Sequence, residues 1–243
     1  MKPIAPLIKL FERYSYAQNY ANAFNQLLDY FLLAFRFNET KESRQSSLET
    51  LSLNLKKDLL MSIITEVGEL AEEFGDPLGA LYEQCISKGK HGQFFTPEPI
   101  SIFMASCINV DQLHPGQTVY DPACGSGRML LAAAKINRHL RFYGADIDEI
   151  CCKMSVVNMI LNSLTGEIAH MDTLSNDFYK GYIIGTTLRE GFHYPYYREI
   201  TNPEESYIWL RSTQKTTPKD FDTPFIPTKS PLMSGGVQGT LFD

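Results

Sequence analysis

The sequence lacks the features of membrane proteins, of secreted proteins and of proteins that bind nucleic acid through a high net positive charge. Its longest apolar stretch, 27–35, is interrupted by Asp29 and falls far short of the roughly 20 apolar residues that a membrane span needs. No apolar segment followed by small residues stands at the N-terminus, so we expect no signal peptide. Lys and Arg total 22 against 28 Asp and Glu, and the net charge of −6 gives no general attraction to DNA.

Cysteine is also scarce and is badly spaced for a disulfide framework or a zinc site. There are five cysteines, an odd number, and no two are separated by two residues. Reduced thiols in a cytoplasmic protein, with no bound metal, are the expectation. The remaining composition, 44 % apolar and 21 % charged over 243 residues, is that of an ordinary globular chain with room for one domain and a smaller appendage.

The first third of the chain has the periodicity of packed helices. Apolar residues recur every three or four positions over 20–35 and over 60–74, which predicts two amphipathic helices. Asp76 followed by Pro77 is the pattern of a helix N-cap and first turn, and predicts a third helix to about Ser87. We therefore predict an N-terminal helical segment over residues 1–91.

Short strands alternate with helices from about residue 118 onward. The predicted elements are strands at 118–121, 141–146, 167–170 and 182–184 and helices at 128–139 and 149–164. This alternation predicts an α/β fold, a parallel sheet flanked by helices, as the core over residues 92–211. Prolines and glycines then accumulate among Ser, Thr and Lys, so residues 212–243 are predicted to be a flexible C-terminal tail.

A glycine-containing turn after the first predicted strand is the most informative segment. It reads Asp121-Pro-Ala-Cys-Gly-Ser-Gly127, and its glycines let the backbone turn sharply and approach a ligand. It is not a phosphate P-loop, because no Gly-Lys-Ser/Thr follows, and Leu130 stands where a dinucleotide fingerprint needs its third glycine. An acidic strand end beside such a turn suits a ligand that carries a cationic amino acid group.

Acidic residues also stand at the ends of the next two predicted strands. Asp146 ends the second strand, where a carboxylate can accept both hydroxyls of a ribose, and Ile147 can pack on a purine. Asp172 follows the third strand and can accept from an adenine amino group. Because the carboxyl ends of parallel strands meet at one edge of a sheet, Asp121, Asp146 and Asp172 are predicted to converge on one ligand.

These segments resemble the adenine-N6 DNA methyltransferases, in particular the modification subunits of type I restriction systems. Asp121–Gly127 looks like their motif I, and Gly92-Gln-Phe-Phe-Thr-Pro97 looks like their Gly-x-Phe/Tyr-x-Thr-Pro element, about 24 residues upstream. Residues 78–83 are similar to the helix before that element. The resemblance covers about residues 70–188 and implies a Rossmann-like, S-adenosylmethionine-dependent methyltransferase core in a bacterial-type cytoplasmic protein.

The resemblance also implies which residues would surround S-adenosylmethionine. In chain order they are Phe95, Thr96, Pro97, Asp121, Ala123, Gly125, Gly127, Asp146, Ile147 and Asp172. The first three would border the methionine end, and the glycine turn would hold the amino acid moiety. The last three would contact the ribose, the adenine ring and the adenine amino group in turn. Thr96 and Pro97 also have the pattern of an N-cap with proline in the first helical position, which is compatible with that role.

The family's catalytic element, Asn/Asp-Pro-Pro-Tyr/Phe after the fourth strand, has no match, because the sequence contains no Pro-Pro dipeptide. In the family this element accepts from the target amino group and stacks on the flipped base. By position it would fall on Gly185-Thr186-Thr187-Leu188, which can do neither. Asn202-Pro-Glu-Glu205 and Tyr194-Pro-Tyr-Tyr197 each supply only a part, so no catalytic residue is assigned.

The sequence is compatible with three functions and does not decide whether the chain is an enzyme. The first is an adenine-N6 DNA methyltransferase that needs a separate specificity or partner subunit to read DNA. The second is a catalytically degenerate protein that binds S-adenosylmethionine or DNA, and the third is a methyltransferase with another substrate. In addition, 238–243 resembles peptides that bind the bacterial sliding clamp, with Gln238, Leu241 and Phe242 as anchors.

Overall fold

The computed structural model describes residues 3–37, 46, 57–87, 95–189 and 191–211. Its helices are α1 Ala5–Tyr14, α2 Tyr20–Phe35, α3 Lys57–Ala71, α4 Pro77–Tyr82, α5 Glu98–Cys107, α6 Arg128–Ile136 and α7 Glu149–Leu161. Its strands are β1 Thr118–Asp121, β2 Arg141–Asp146, β3 Gly166–Asp172, β4 Asp177–Arg189 and β5 Phe192–Ile200. The chain divides into two units, Met1–Leu210 and Arg211–Asp243, and only Arg211 of the second is described.

The five strands form one sheet in the order β1-β2-β3-β4-β5. The first three strands are parallel, with α6 and α7 as the crossovers between them, whereas β4 and β5 form an antiparallel hairpin beside β3. The α/β class and the Rossmann-like core are confirmed, but the sheet is mixed where a parallel sheet was predicted. The connection over 173–176 explains this difference, because a parallel return needs a crossover of about a dozen residues or more.

The predicted helices are present, but α6 and α7 end at Ile136 and Leu161, three residues earlier than predicted, and one N-terminus also differs. Asp76 caps α4, since its side chain accepts a hydrogen bond from Gly79 N–H at 2.8 Å, and a π-helical turn at Glu83–Ser87 continues the helix. The prediction of Thr96 as an N-cap is wrong. Pro97 is the N-cap of α5, without a side-chain hydrogen bond, because Pro99 allows the helix to begin one residue later.

One large hydrophobic core lies between the sheet and the helices. Phe142 of β2 and Ile168 of β3 are fully buried and face it, and α7 packs across both strands. Helices α2 and α3 contact α7 and contribute fully buried residues, Phe24 and Ile63 among them, to the same core. The N-terminal helices and the sheet therefore share their apolar interior, and the boundary at residue 91 stays a prediction.

The opposite face of the sheet carries a smaller cluster. Its buried members are Ala145, Ala169, Met171 and Ile208. Glu167 is fully buried on this face, where it accepts hydrogen bonds from Ser206 Oγ at 2.5 Å and Tyr207 N–H at 2.8 Å. Burial raises the pKa of Glu167, and both hydrogen bonds oppose that increase. These hydrogen bonds and the apolar cluster hold the segment after β5 against this face of β2 and β3.

Other features of the described ranges concern membranes, thiols and metals. None of the helices in these ranges is long and apolar enough to cross a membrane. All five cysteines lie within the ranges, and each is a free thiol. The same ranges contain no group of three or more His, Cys, Asp or Glu side chains arranged to hold a metal ion.

Candidate cofactor-binding site

The glycine turn joins β1 to α6 at the carboxyl end of the parallel strands. Gly125 and Gly127 have φ angles of 55° and 85°, in the left-handed region that favours glycine. A Cβ on Gly125 would lie 2.8 Å from the ring of Phe95, and one on Gly127 would lie 2.9 Å from Ser155 Oγ. The turn therefore requires both glycines, for backbone conformation and for space.

Asp146 connects this turn to the one that follows β2. One carboxylate oxygen accepts from Gly125 N–H at 2.8 Å, and the other accepts from Asp148 N–H at 2.9 Å. Burial raises the pKa of Asp146, whereas these two hydrogen bonds lower it. Each oxygen still has a lone pair for a ligand donor. Asp148 itself caps α7 by accepting from Ile150 N–H at 2.8 Å.

Asp121 ends β1 close to Asp146. Its carboxylate accepts from Ala123 N–H at 3.1 Å. Burial raises the pKa of Asp121, the hydrogen bond opposes this, and the negative charge of Asp146 raises it further. Two partly desolvated carboxylates at one turn favour a ligand that carries positive charge, because such a ligand would offset their mutual repulsion.

Phe95 brings the segment before α5 onto the glycine turn. Its ring stands over Gly125, and the guanidinium of Arg128 lies 5.6 Å from the ring centroid. The Phe95 N–H donates to the Glu83 carboxylate at 3.2 Å, and the Thr96 carbonyl accepts from Arg128 at 3.2 Å. This part of the predicted upstream element is therefore attached to the turn, while residues 92–94 lie outside the described ranges.

A buried ionic network beneath the turn was not predicted. Asp76 accepts from Arg128 Nε at 2.9 Å and from Ser126 Oγ at 2.6 Å. Its other oxygen accepts from Asn158 Nδ2 at 2.8 Å, and Arg128 also donates to Glu83 at 3.0 Å. Burial alone would lower the pKa of Arg128, but the charges of Asp76 and Glu83 outweigh it and raise the pKa. The network joins the turn to α4 and α7.

The sequence contains one usable signal for this network. Arg128 is the first residue of α6, and a cation is unfavourable at a helix N-terminus unless an anion balances it. For Asp76, the sequence pattern predicts only the role of a helix N-cap. Its partners Ser126 and Arg128 are 50 and 52 positions away, so local pattern could not connect them.

A cavity of about 350 Å³ lies beside the turn. Its polar end includes Asp121, Thr96 and Arg128, and the remainder is lined largely by apolar side chains of β1, α5 and α6. The volume lies within the range of small-molecule sites.

The other predicted cofactor residues lie at the same sheet edge or next to it. Ile147 is 63 % exposed directly after Asp146. Asp172 is the last residue of β3, where its carboxylate accepts from Leu174 N–H at 2.9 Å. The adjacent Thr173 hydroxyl donates to the Pro122 carbonyl at 3.2 Å, which links the ends of β3 and β1. The contact that each residue makes with a cofactor stays a prediction.

The sheet and the glycine turn have the arrangement of the Rossmann-like, S-adenosylmethionine-dependent methyltransferase class, and the family match that follows confirms the predicted cofactor. The profile of the N-6 DNA Methylase family matches residues 73–230, well over half of the chain. This chain therefore belongs to the N-6 DNA methylase family.

Several known proteins are similar to it in sequence. The methylase subunit of the type I restriction enzyme MpnII of Mycoplasma pneumoniae is 30 % identical over 190 residues, 72 % of this chain and 34 % of that protein. The EcoEI methylase subunit of Escherichia coli is 27 % identical over 139 residues, 48 % of this chain and 28 % of that protein. The chain thus spans about a third or less of these relatives' length.

Two other similarities are more limited. Ribosomal protein L11 methyltransferase of Caldanaerobacter subterraneus is 42 % identical over 67 residues, 27 % of this chain and 21 % of that protein. Among solved structures, the type I restriction-modification methyltransferase subunit of Streptococcus thermophilus has a TM-score of 0.38 and 15 % identity, covering 67 % of this chain and 57 % of that chain. A protein of Listeria monocytogenes described as a class I S-adenosylmethionine-dependent methyltransferase has a TM-score of 0.43 and 17 % identity, with coverages of 79 % and 66 %.

Proposed function

We propose that this chain is the cofactor-binding part of an adenine-N6 DNA methyltransferase of the type I kind. In this proposal it binds S-adenosylmethionine at the glycine turn and methylates DNA only together with further polypeptide that supplies the target-base element and reads the sequence. The observation that carries the first part is the pair of partly buried carboxylates, Asp121 and Asp146, beside a turn in which Gly125 and Gly127 have left-handed φ angles.

The residues at the turn fit S-adenosylmethionine. Its ammonium group would be balanced by Asp121, and its ribose hydroxyls would donate to the remaining lone pairs of Asp146. Ile147, which is exposed, would cover the adenine, and Phe95 would border the methionine end. When bound, the cofactor supplies an electrophilic methyl group on a sulfonium.

Calorimetry with S-adenosylmethionine tests this part. The natural chain is expected to bind it, and Asp146→Ala is expected to weaken binding by about tenfold to hundredfold, because a hydrogen bond to a charged group contributes about 1.5–3 kcal/mol. The control is Asp111→Ala, which removes the carboxylate of an exposed aspartate outside the glycine turn. This variant should bind S-adenosylmethionine as the natural chain does. Absence of binding, or equal affinity of Asp146→Ala, contradicts the assignment.

The second part rests on where the candidate catalytic segments lie. Gly185–Leu188 are inside β4, paired with residues 193–196 of β5, and β2 and β3 separate them from β1. Asn202 caps a 3-10 turn by accepting from Glu204 N–H at 3.1 Å. Tyr194–Tyr197 belong to β5. We infer that none of these segments presents a target base to the glycine turn.

Transfer of a tritiated methyl group to unmethylated DNA tests this second part. The chain alone is expected to incorporate no label above background even when saturated with S-adenosylmethionine, and incorporation is expected when the products of neighbouring genes are added. Label that depends on Asp146 in the mixture would show that this chain supplies the cofactor site. Incorporation by the chain alone would contradict the second part and leave the first intact.

Methylation of another substrate is the alternative that the relative named for ribosomal protein L11 raises. Its similarity is confined to 67 residues, 27 % of this chain. We infer that so short a match reflects a shared cofactor-binding segment. Methyltransferases that act on different acceptors still bind the same cofactor. The DNA acceptor therefore stays the favoured proposal.

We also propose that residues 238–243 bind a bacterial sliding clamp, a proposal that rests on their sequence because they lie outside the described ranges. Leu241 and Phe242 would fill an apolar pocket while Gln238 donates and accepts hydrogen bonds. Fluorescence anisotropy of a labelled peptide of these residues should show saturable binding to the clamp. The control peptide carries Leu241→Ala and Phe242→Ala. No saturable binding of the natural peptide at high micromolar clamp would end the idea.

A further inference from the structure

The short connection between β2 and α7 is held by a side chain of the neighbouring strand β3. This connection consists of Ile147 and Asp148, and we call it the β2–α7 loop. His170 of β3 is the register partner of Asp146, and its Nε2 lies 3.1 Å from the Ile147 carbonyl oxygen. Because a carbonyl oxygen only accepts hydrogen bonds, Nε2 carries the hydrogen and donates it. The bond therefore fixes the peptide group of an exposed loop residue.

A β-bulge in β4 places a tyrosine ring against this histidine. The register of the β3–β4 pairing shifts directly after the pair His170–Lys180, and Tyr179 is the extra residue. The ring centroids of His170 and Tyr179 are 4.8 Å apart, with an angle of 51° between the planes. Bulges redirect side chains and are common next to functional sites. The ring contact restricts rotation of the His170 side chain and keeps Nε2 directed at the loop.

Lys180 holds the start of α7 from the same hairpin. Its ammonium group pairs with the carboxylate of Glu149, which lies in the first turn of α7 directly after the β2–α7 loop. The hydrogen bond from Lys180 lowers the pKa of Glu149, whereas burial alone would raise it. A carboxylate is also favourable at a helix N-terminus. The two ends of the loop are thus attached to β3 and β4, one by His170 and the other by Lys180.

We propose that His170 and Lys180 are positioning residues for the adenosine end of S-adenosylmethionine and act through the β2–α7 loop without touching the cofactor. The proposal rests on the proposed function, in which Ile147 covers the adenine, and it adds the residues that hold Ile147 in place. Ordering a loop during binding costs conformational entropy, so a loop that is already fixed binds more tightly. The β3–β4 hairpin supplies this order before the cofactor arrives.

Exposure separates this role from packing of the core. The Tyr179 side chain is 51 % exposed, and His170 and Lys180 are only partly buried. The neighbouring β3 residues Ile168 and Ala169 are fully buried and form the apolar contacts of the strand. Loss of the His170 or Lys180 side chain should therefore change the free energy of unfolding little, and its effect should fall on the loop.

Two substitutions of His170 separate the hydrogen bond from the ring contact. His170→Phe keeps a ring against Tyr179 but has no donor, whereas His170→Gln keeps an Nε2 donor without the ring. In calorimetry, His170→Phe should bind S-adenosylmethionine about fivefold more weakly, the loss expected for one hydrogen bond, and His170→Gln should recover most of that affinity. His193→Phe, at an exposed position of β5, is the control and should bind as the natural chain does.

Lys180→Met tests the second attachment. It keeps the aliphatic stem but removes the charge, and it should weaken S-adenosylmethionine less than His170→Phe does, because Lys153 remains 3.8 Å from Glu149. Lys135→Met is the matched control, since it breaks another partly exposed ion pair, that with Glu98 at 3.5 Å. This control should leave the affinity unchanged.

A second ligand tests whether the effect belongs to the adenosine end. Methylthioadenosine keeps the adenosine and the sulfur of S-adenosylmethionine but lacks the amino acid group. His170→Phe should weaken both ligands by the same factor. Asp121→Asn removes the charge that would balance the ammonium group and should weaken S-adenosylmethionine alone. A general loss of structure would instead weaken both ligands in both variants and lower stability in urea.

Hydrogen exchange without any ligand reports on the loop itself. The Asp148 N–H donates to Asp146 at 2.9 Å, so its exchange rate records how firmly the loop is held. His170→Phe should increase this rate, and His170→Gln should not. The inference is overturned if His170→Phe leaves the affinity for S-adenosylmethionine or the Asp148 exchange rate unchanged, or if His170→Gln binds as weakly as His170→Phe. Absence of binding by the natural chain would be a failure of the cofactor assignment, and the positioning role would fall with it.

Discussion

Asp76→Ala is expected to lower the free energy of unfolding by about 3–5 kcal/mol, because it breaks a buried ion pair by removing one partner. The Asp76 side chain is 6 % exposed and that of Arg128 is 13 % exposed. Without the carboxylate, Glu83 is the only anion of the described residues that still pairs with Arg128, and Ser126 and Asn158 lose an acceptor. The glycine turn should loosen as well, so affinity for S-adenosylmethionine should fall with stability.

Urea unfolding followed by circular dichroism measures this effect. Asp76→Asn should be less severe, since an amide oxygen can still accept from the Gly79 N–H that the carboxylate caps. Asp111→Ala is the control, and an exposed site should change the free energy of unfolding by about 0.5 kcal/mol or less. A change below about 1 kcal/mol for Asp76→Ala would show that the network contributes little to stability.

Gly125→Ala is expected to weaken S-adenosylmethionine binding by about a hundredfold. A Cβ there would lie 2.8 Å from the Phe95 ring, and the φ of 55° is strained for any residue with a side chain. The turn can relieve the contact only by moving, which would shift the Gly125 N–H away from Asp146 and Phe95 away from the cofactor site. Strain and displaced contacts together amount to about 3 kcal/mol, or about two powers of ten in affinity.

Gly116→Ala separates the two causes. Gly116 has a φ of 84°, but no atom lies within 4 Å of the Cβ position. It therefore carries the backbone strain without the collision and should alter stability slightly while leaving cofactor affinity unchanged. Calorimetry on both variants makes the comparison, and equal affinities would mean that the space above Gly125 does not matter to the site.

The predictions that the structure confirms depend on short stretches of chain. The cap at Asp76 and the strands β1 to β3 follow from residue types a few positions apart. The direction of β4 did not follow from such patterns, since an apolar run predicts a strand equally well in either direction. It is decided by the short turn after β3 and by pairing with residues that come later.

The sequence by itself determined the order of β1 to β3 and their two crossover helices, the glycine turn and the acidic strand ends, because these depend on backbone geometry and on neighbours within one element. It did not predict α5 or β5. Only the tertiary structure decided that Asp76 anchors the turn, since its partners are 50 to 82 positions away. The same holds for the apolar face of α5. Its spacing alone predicts burial, whereas in the structure Ile100, Phe103 and Met104 are exposed.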